Sequence, residues 1–207
     1  MALDEAILLK SPAGATVLRF YDWDGDACTF GYSQRHADAK AACKPGVSPV
    51  RRATGGGIVQ HDGDLTFSLV FGWDKALAPE TIYKNIHRGI HQALKMNGVE
   101  NGLWSRARSS ASIAQNCFSS PEKMDVVLND GSKLLGGALR KKGSRGLYQG
   151  SLRADKISLS RVALEAAVLD GVSREFVSVS QDIHDAWLDA GRLLEARYRS
   201  PEWNERR

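Results

Sequence analysis

The stretch 51–62, RRATGGGIVQHD, running on through GDLTFSLVF to residue 71, decides how the rest of the chain reads. Val50-Arg51-Arg52 is strand-like, and Leu65 to Phe71 alternates as a strand does. Between them stand Gly55, Gly56 and Gly57, then the turn His61-Asp62-Gly63-Asp64. Consecutive glycines let a backbone adopt positive φ and come close to a ligand. Free N–H groups in such a turn can face an anion or a carbonyl oxygen. Arg51 and Arg52 can add forked, charge-assisted hydrogen bonds to a phosphate or carboxylate. The plainer reading is a hairpin loop with solvated arginines, since Gly-rich turns are common punctuation. The segment is no Walker loop, because no Gly-Lys-Ser/Thr follows, and it lacks the strand–GxGxxG–helix setting of a dinucleotide site.

Toward the N-terminus, residues 2–10 form an amphipathic helical pattern. Val17 to Tyr21 and Ala27 to Tyr32 read as strands joined by the turn-forming Asp22-Trp23-Asp24-Gly25-Asp26. Residues 35–43 suit a short helix, and Pro45, Gly46 and Pro49 break the chain after it. Toward the C-terminus, Ile82, Ile86, Ile90 and Leu94 recur every four residues, predicting a helix over Thr81 to Asn97 that stops at Gly98. Asp125 to Leu128 and Lys133 to Leu139 pair as a hairpin across Asn129-Asp130-Gly131. Leu147 to Leu152 adds a strand, while Ser158 to Leu169 and Ile183 to Tyr198 read as helices. Helices mixed with short, hairpin-linked strands predict an α+β (mixed α/β) fold, mostly antiparallel sheets with packed helices, in one domain over 1–207.

Composition narrows the function classes. The chain has 207 residues, 43% hydrophobic and 25% charged, enough to bury a core without disulfide help. No apolar run approaches the length of a membrane span. The acidic start MALDEAILL reads as a helix and not as a signal peptide, so the expected location is cytoplasmic, with no membrane partner. The net charge is +4, and basic residues cluster at Arg51-Arg52 and at Lys133 through Arg145, beside glycines. That pattern fits a small anionic group better than a nucleic acid, and the mild excess can attract an acidic protein partner. Cys28, Cys43 and Cys117 are odd in number and lack CxxC spacing, which suggests neither a disulfide framework nor a zinc site.

Two further segments carry chemistry. Lys133 lies in a glycine-flanked strand, where it can set a positive charge against an acyl carbonyl or a phosphate. Cys117, in Asn116-Cys117-Phe118-Ser119-Ser120-Pro121, becomes a nucleophile if positive charge from Lys133 lowers its pKa, and is otherwise a buried structural thiol. Cys28 and Cys43 read as structural. His87 and His91 share a helix face at metal-ligand spacing, but without a third ligand they read as helix-surface histidines, and no metal site is expected.

Together the segments resemble the lipoate–protein ligase and octanoyltransferase superfamily. Arg51-Arg52-x-Thr54-Gly55-Gly56-Gly57-x-Val59-x-His61-Asp62 resembles its RRxxGGGxVxHD signature. Lys133-Leu134-Leu135-Gly136-Gly137-Ala138 and Gln149-Gly150-Ser151-Leu152 are similar to its K-x-x-G-S-A…H-G-S/T-L block, with Gly137 for the usual serine and Gln149 for the usual histidine. The opening MALDEA, Leu18 to Gln34, and Tyr198-x-Ser200-Pro201-Glu202-Trp203-Asn204 look like further landmarks in the family's order.

The resemblance implies a catalytic domain with a tunnel for a medium acyl chain. Arg51, Arg52, Thr54, Gly55, Gly56, Gly57 and His61 would bind the acyl group, with Gly136, Gly137 and Ala138, while Lys133 contacts its carbonyl end. Two chemistries follow. In one, Cys117 takes octanoate from acyl carrier protein as a thioester and passes it to a lysine of a lipoyl carrier domain, from a dehydrogenase complex or the glycine-cleavage H protein, with no cofactor. Cys117-Phe118-x-x-Pro121 resembles the loop of those transferases, and no accessory domain is read after the catalytic landmarks. In the other, a ligase uses ATP and Mg to activate free lipoate, and Gly57 matches the ligases' glycine. A lipoyl- or nucleotide-binding module without turnover is a third expectation.

Overall fold

Leu65, Phe67, Leu69 and Phe71 alternate, so they fall on one face of the strand β5 (Leu65–Gly72). All four are at most 2% exposed. The computed structural model describes residues 1–12, 14–106, 121–176 and 184–206. In it β5 sits inside a six-stranded sheet with β1 (Val17–Tyr21), β9 (Arg145–Leu152), β8 (Lys133–Lys142), β7 (Val126–Leu128) and β6 (Asn101–Leu103). The order is β1-β5-β9-β8-β7-β6, and every neighbouring pair is antiparallel. A second sheet of β2 (Ala27–Phe30), β3 (Val50–Arg51) and β4 (Ile58–His61) has the order β3-β2-β4, with β2–β3 its parallel pair. The expected antiparallel sheets with packed helices are therefore what folds.

One face of the large sheet packs on α3 (Pro79–Met96) and α4 (Arg161–Ser173). Ile82, Ile86, Ile90 and Leu94 bury the α3 stripe, each side chain contributing about 1.5–3 kcal/mol. Gly98, at φ +79°, ends the helix, and the Val99 amide donates back to the Leu94 carbonyl. The two helices touch backbone to backbone: a Cβ on Gly89 would lie 2.1 Å from the Gly171 carbonyl oxygen. The other face packs on α1 (Ala2–Lys10) and α5 (His184–Leu193). The turn at Asn129-Asp130-Gly131 joins β7 to β8 as the sequence predicts, with Gly131 at φ +80°.

Several boundaries differ. Ser160, and not Ser158, caps α4 by accepting from the Ala163 amide, because the side chain able to accept that bond sets the start. The last long helix ends at Leu193 and continues as a π-helical turn over Leu194–Tyr198. His87 is no surface residue: it is fully buried under β9, its Nε2 2.8 Å from the Tyr148 hydroxyl. Its neighbour His91 bonds Asn101.

The cysteine reading is also corrected. Cys28 on β2 and Cys43, which follows α2 (His36–Ala42), form a disulfide across a Cα–Cα distance of 6.1 Å. The bond ties the small sheet to the short helix α2 where the apolar cluster of Cys28, Phe30, Ala39 and Ile58 is slight. No helix among the described residues is long and apolar enough to cross a membrane.

Candidate active-site cleft

A cleft opens where the small sheet faces β8 and β9. Of the residues singled out in the sequence, it gathers Arg52, Gly56, His61, Lys133, Gly136, Gly137 and Ala138 along its wall. Tyr21, Thr29, Thr66, Gln149 and Ser151 join them; Gln149 and Ser151 belong to the second family block, and Thr66 stood in no motif. Cys117 lies outside the described residues.

At one end Lys133 runs back over Gly136. A Cβ on Gly136 would come 2.1 Å from the lysine Cε and 2.5 Å from Nζ, so the K-x-x-G spacing gives the side chain its path. Nζ sits 2.8 Å from Oδ2 of Asp125, with both side chains buried. Asp125 also accepts from the Tyr83 hydroxyl and the Glu122 amide. Behind them Tyr83 stacks on His87 at 4.0 Å, and His87 meets Tyr148 edge-on. Burial pushes the Tyr83 and Tyr148 hydroxyls well above the usual phenol range. Burial, then the charge of Lys133, lowers His87 to about 3, so all three rings stay uncharged near neutrality. The same packing explains Gly137, because a Cβ there would lie 2.3 Å from the Tyr148 ring and leaves no room for the family's serine.

At the other end His61 donates from Nδ1 to Asp64, 2.9 Å away. Nε2 is hydrogen-bonded to the Thr29 hydroxyl at 2.8 Å, whose oxygen takes a bond from Arg52 Nη1 at 2.8 Å. Asp64 accepts further from Thr66 and Ser151. Burial opposes its ionisation, yet the bonds from His61, Ser151 and Thr66 hold its carboxyl below the ordinary value. The Trp23 ring stacks on His61 at 4.2 Å.

The glycine turn is held from beneath. Arg52 Nη2 donates to the carbonyls of Gly55 and Gly57, and Gly56 takes φ +84°. Arg51 is not among the lining residues. Its side chain is fully buried and donates to the carbonyls of Tyr32, Gln34, Trp203 and Asn204. The C-terminal landmark thus has a physical partner: α6 (Pro201–Asn204) docks on Arg51 of β3. Thr54, Gly55 and Gly57 likewise stand behind the wall, where Thr54 donates to the Gln149 side-chain Oε1 at 2.7 Å. Gln149 then donates to Asp4 at 2.7 Å, so a carboxamide meets both needs at once. Among the described residues no group of three or more His, Cys, Asp or Glu is set to hold a metal.

The chain matches the lipoyl protein ligase A/B catalytic domain over residues 1–168. It is 32% identical over 166 residues to the octanoyltransferase LipM of Clostridioides difficile, covering 75% of this chain and 60% of that one. The chain thus spans about three-fifths of that relative's length. It is 26% identical to the Staphylococcus aureus octanoyltransferase LipM across 98% of this chain and 92% of that one. Among solved structures, a lipoate-protein ligase A bound with ATP superposes with a TM-score of 0.78 at 23% identity, over 99% of this chain and 92% of the other. The bi-partite lipoate protein ligase from Thermoplasma acidophilum gives 0.74 at 23% identity, over 99% and 89%. At these identities the structural likenesses establish the fold.

Proposed function

Because the chain belongs to the lipoyl protein ligase A/B catalytic-domain family, we propose that it transfers an octanoyl group from acyl carrier protein to a lysine of a lipoyl carrier domain. The observation that carries this reading is Lys133, buried on the wall of the cleft between the small sheet and β8–β9, in a chain that matches curated octanoyltransferases. The Cys117 thiolate attacks the donor thioester carbonyl and expels the carrier's thiolate, which takes up a proton. The acceptor amine then attacks the Cys117 thioester, forms the amide, releases the Cys117 thiolate and loses a proton. Lys133 stabilises the oxyanion that develops in both steps. Both steps exchange one acyl bond for another, so no ATP or metal enters. The role of Cys117 rests on the motif Cys117-Phe118-x-x-Pro121. The acceptor is the lipoyl domain of a dehydrogenase complex or the glycine-cleavage H protein.

A second reading, ATP-dependent ligation of free lipoate, draws on Gly57 and on the ATP-bound structural neighbour. Intact-mass analysis of a lipoyl domain incubated with octanoyl-carrier protein, or with lipoate, ATP and Mg²⁺, separates the two. Octanoyl transfer that vanishes in Cys117→Ala supports the transferase. A variant that keeps full lipoate ligation overturns it.

A further inference from the structure

The acyl-transfer reading needs a positive charge at the carbonyl end, and leaves open whether Lys133 acts by that charge or by accepting a proton. Its surroundings decide between these. Asp125 Oδ2 lies 2.8 Å from Lys133 Nζ, and the Asp125 side chain is fully buried. A buried carboxylate is costly unless donors surround it. Asp125 has the Lys133 ammonium, the Tyr83 hydroxyl and the Glu122 amide, the last at 2.6 Å. Tyr83 is itself braced, since its oxygen accepts from the Gly137 amide at 3.2 Å and its ring lies on His87. The rings behind are uncharged near neutrality, so the charge in this group is that of the Asp125–Lys133 pair.

A pair serving only as a staple would be sealed within the core. Lys133 instead lines the cleft, and glycine at 136 keeps open the path by which it reaches both the cleft and Asp125. We propose that Asp125, fixed by Tyr83 and the Glu122 amide, is a positioning residue that holds Lys133 as a permanent cation at the acyl carbonyl, so that Lys133 takes no proton during transfer. The proposal rests on the acyl-transfer reading for its catalytic consequence, but not for the charge itself.

Two measurements test it. The first is acetylation of Lys133 by acetic anhydride at pH 8, mapped by peptide mass against Lys156 in the same sample. Asp125→Asn removes this counter-charge and keeps the shape, so Lys133 labelling should rise about tenfold over wild type. Tyr83→Phe, which withdraws one donor from Asp125, should move the same way by less, and serves if Asp125→Asn does not fold. The second is octanoyl transfer: Lys133→Arg should retain clearly more activity than Lys133→Gln, and Asp125→Glu should recover part of what Asp125→Asn loses. Equal labelling in wild type and both variants overturns the proposal. So does Lys133→Arg as inactive as Lys133→Gln, since an arginine supplies charge but accepts no proton. Labelling needs no substrate. A labelling contrast in a wild-type protein that fails to transfer octanoate would sink the donor assignment and leave the ion-pair role standing.

Discussion

At one end of the cleft a lysine and an aspartate face each other with full charges, backed by three neutral rings. At the other end Arg52, Thr29, His61 and Asp64 pass hydrogen bonds along a line, with Ser151 and Thr66 closing it. Both ends bury polar atoms, and the difference lies in what holds them. The Lys133 end is built on the large sheet and the long helix α3, where the aromatic and aliphatic packing is deepest. The His61 end draws Thr29 and His61 from the three-stranded sheet, whose apolar cluster is small, and there a covalent tether accompanies the fold. At the Lys133 end opposite charges meet directly against the larger apolar core, whereas at the other end the charges of Arg52 and Asp64 are bridged by hydroxyl and imidazole groups.

Cutting the tether should separate the two ends most sharply. The disulfide spans 15 residues, and closing a loop of that size is worth about 3 kcal/mol. Cys43→Ser, or reduction with a dithiol, should lower the unfolding free energy by that order in a denaturant titration. Lys133 acetylation should not change with it. A midpoint unmoved by reduction would show that the small sheet needs no tether. Next in size, Asp64→Asn keeps shape but loses the charge that three donors address, at a cost of about 2 kcal/mol. The loss should appear as a lower thermal midpoint, and an unchanged midpoint would mean the line of bonds adds nothing.

The last test, smallest per pH unit, sharpens the Lys133 end through pH. His87 binds its proton at about 3 in the fold and near 6.5 when unfolded. Between these values the unfolded chain takes up a proton that the fold refuses. Stability therefore falls as pH drops from 6.5 toward 3, by up to about 1.4 kcal/mol per unit. His87→Gln, neutral throughout and able to keep a bond to Tyr148, should flatten that slope in acid unfolding curves. An identical slope would show that His87 is not shielded as described.

Much of this was legible in the chain, because periodicity reports local structure. The alternation of Leu65 to Phe71, the four-residue stripe of α3 and the Asn129-Asp130-Gly131 turn lead directly to their elements. Lys133, Arg52 and His61 stood out as charged or titratable groups beside glycines, and they share the cleft. What stayed hidden was pairing at a distance. Thr29 and His61 are 32 residues apart, Ser151 and Asp64 are 87 apart, and nothing local marks either pair. Asp125 read only as the start of a strand, since its meaning comes from Lys133 across the hairpin. Arg51 misled in the opposite direction: a guanidinium beside glycines reads as a ligand contact, whereas here it binds four backbone carbonyls. The disulfide escaped because a strand residue and the end of a helix meet only through the fold.

The contact of Gly89 with Gly171 bears on how such a protein can drift. Tyr83 and His87 ride on the helix that this contact seats, so the address of the reactive lysine depends on two positions with no chemistry of their own. The solvent-facing residues of α4 are open to exchange over many generations. A single methyl group gained at 171 would meet the Ile90 backbone at 2.6 Å and lift the helix that carries the tyrosine.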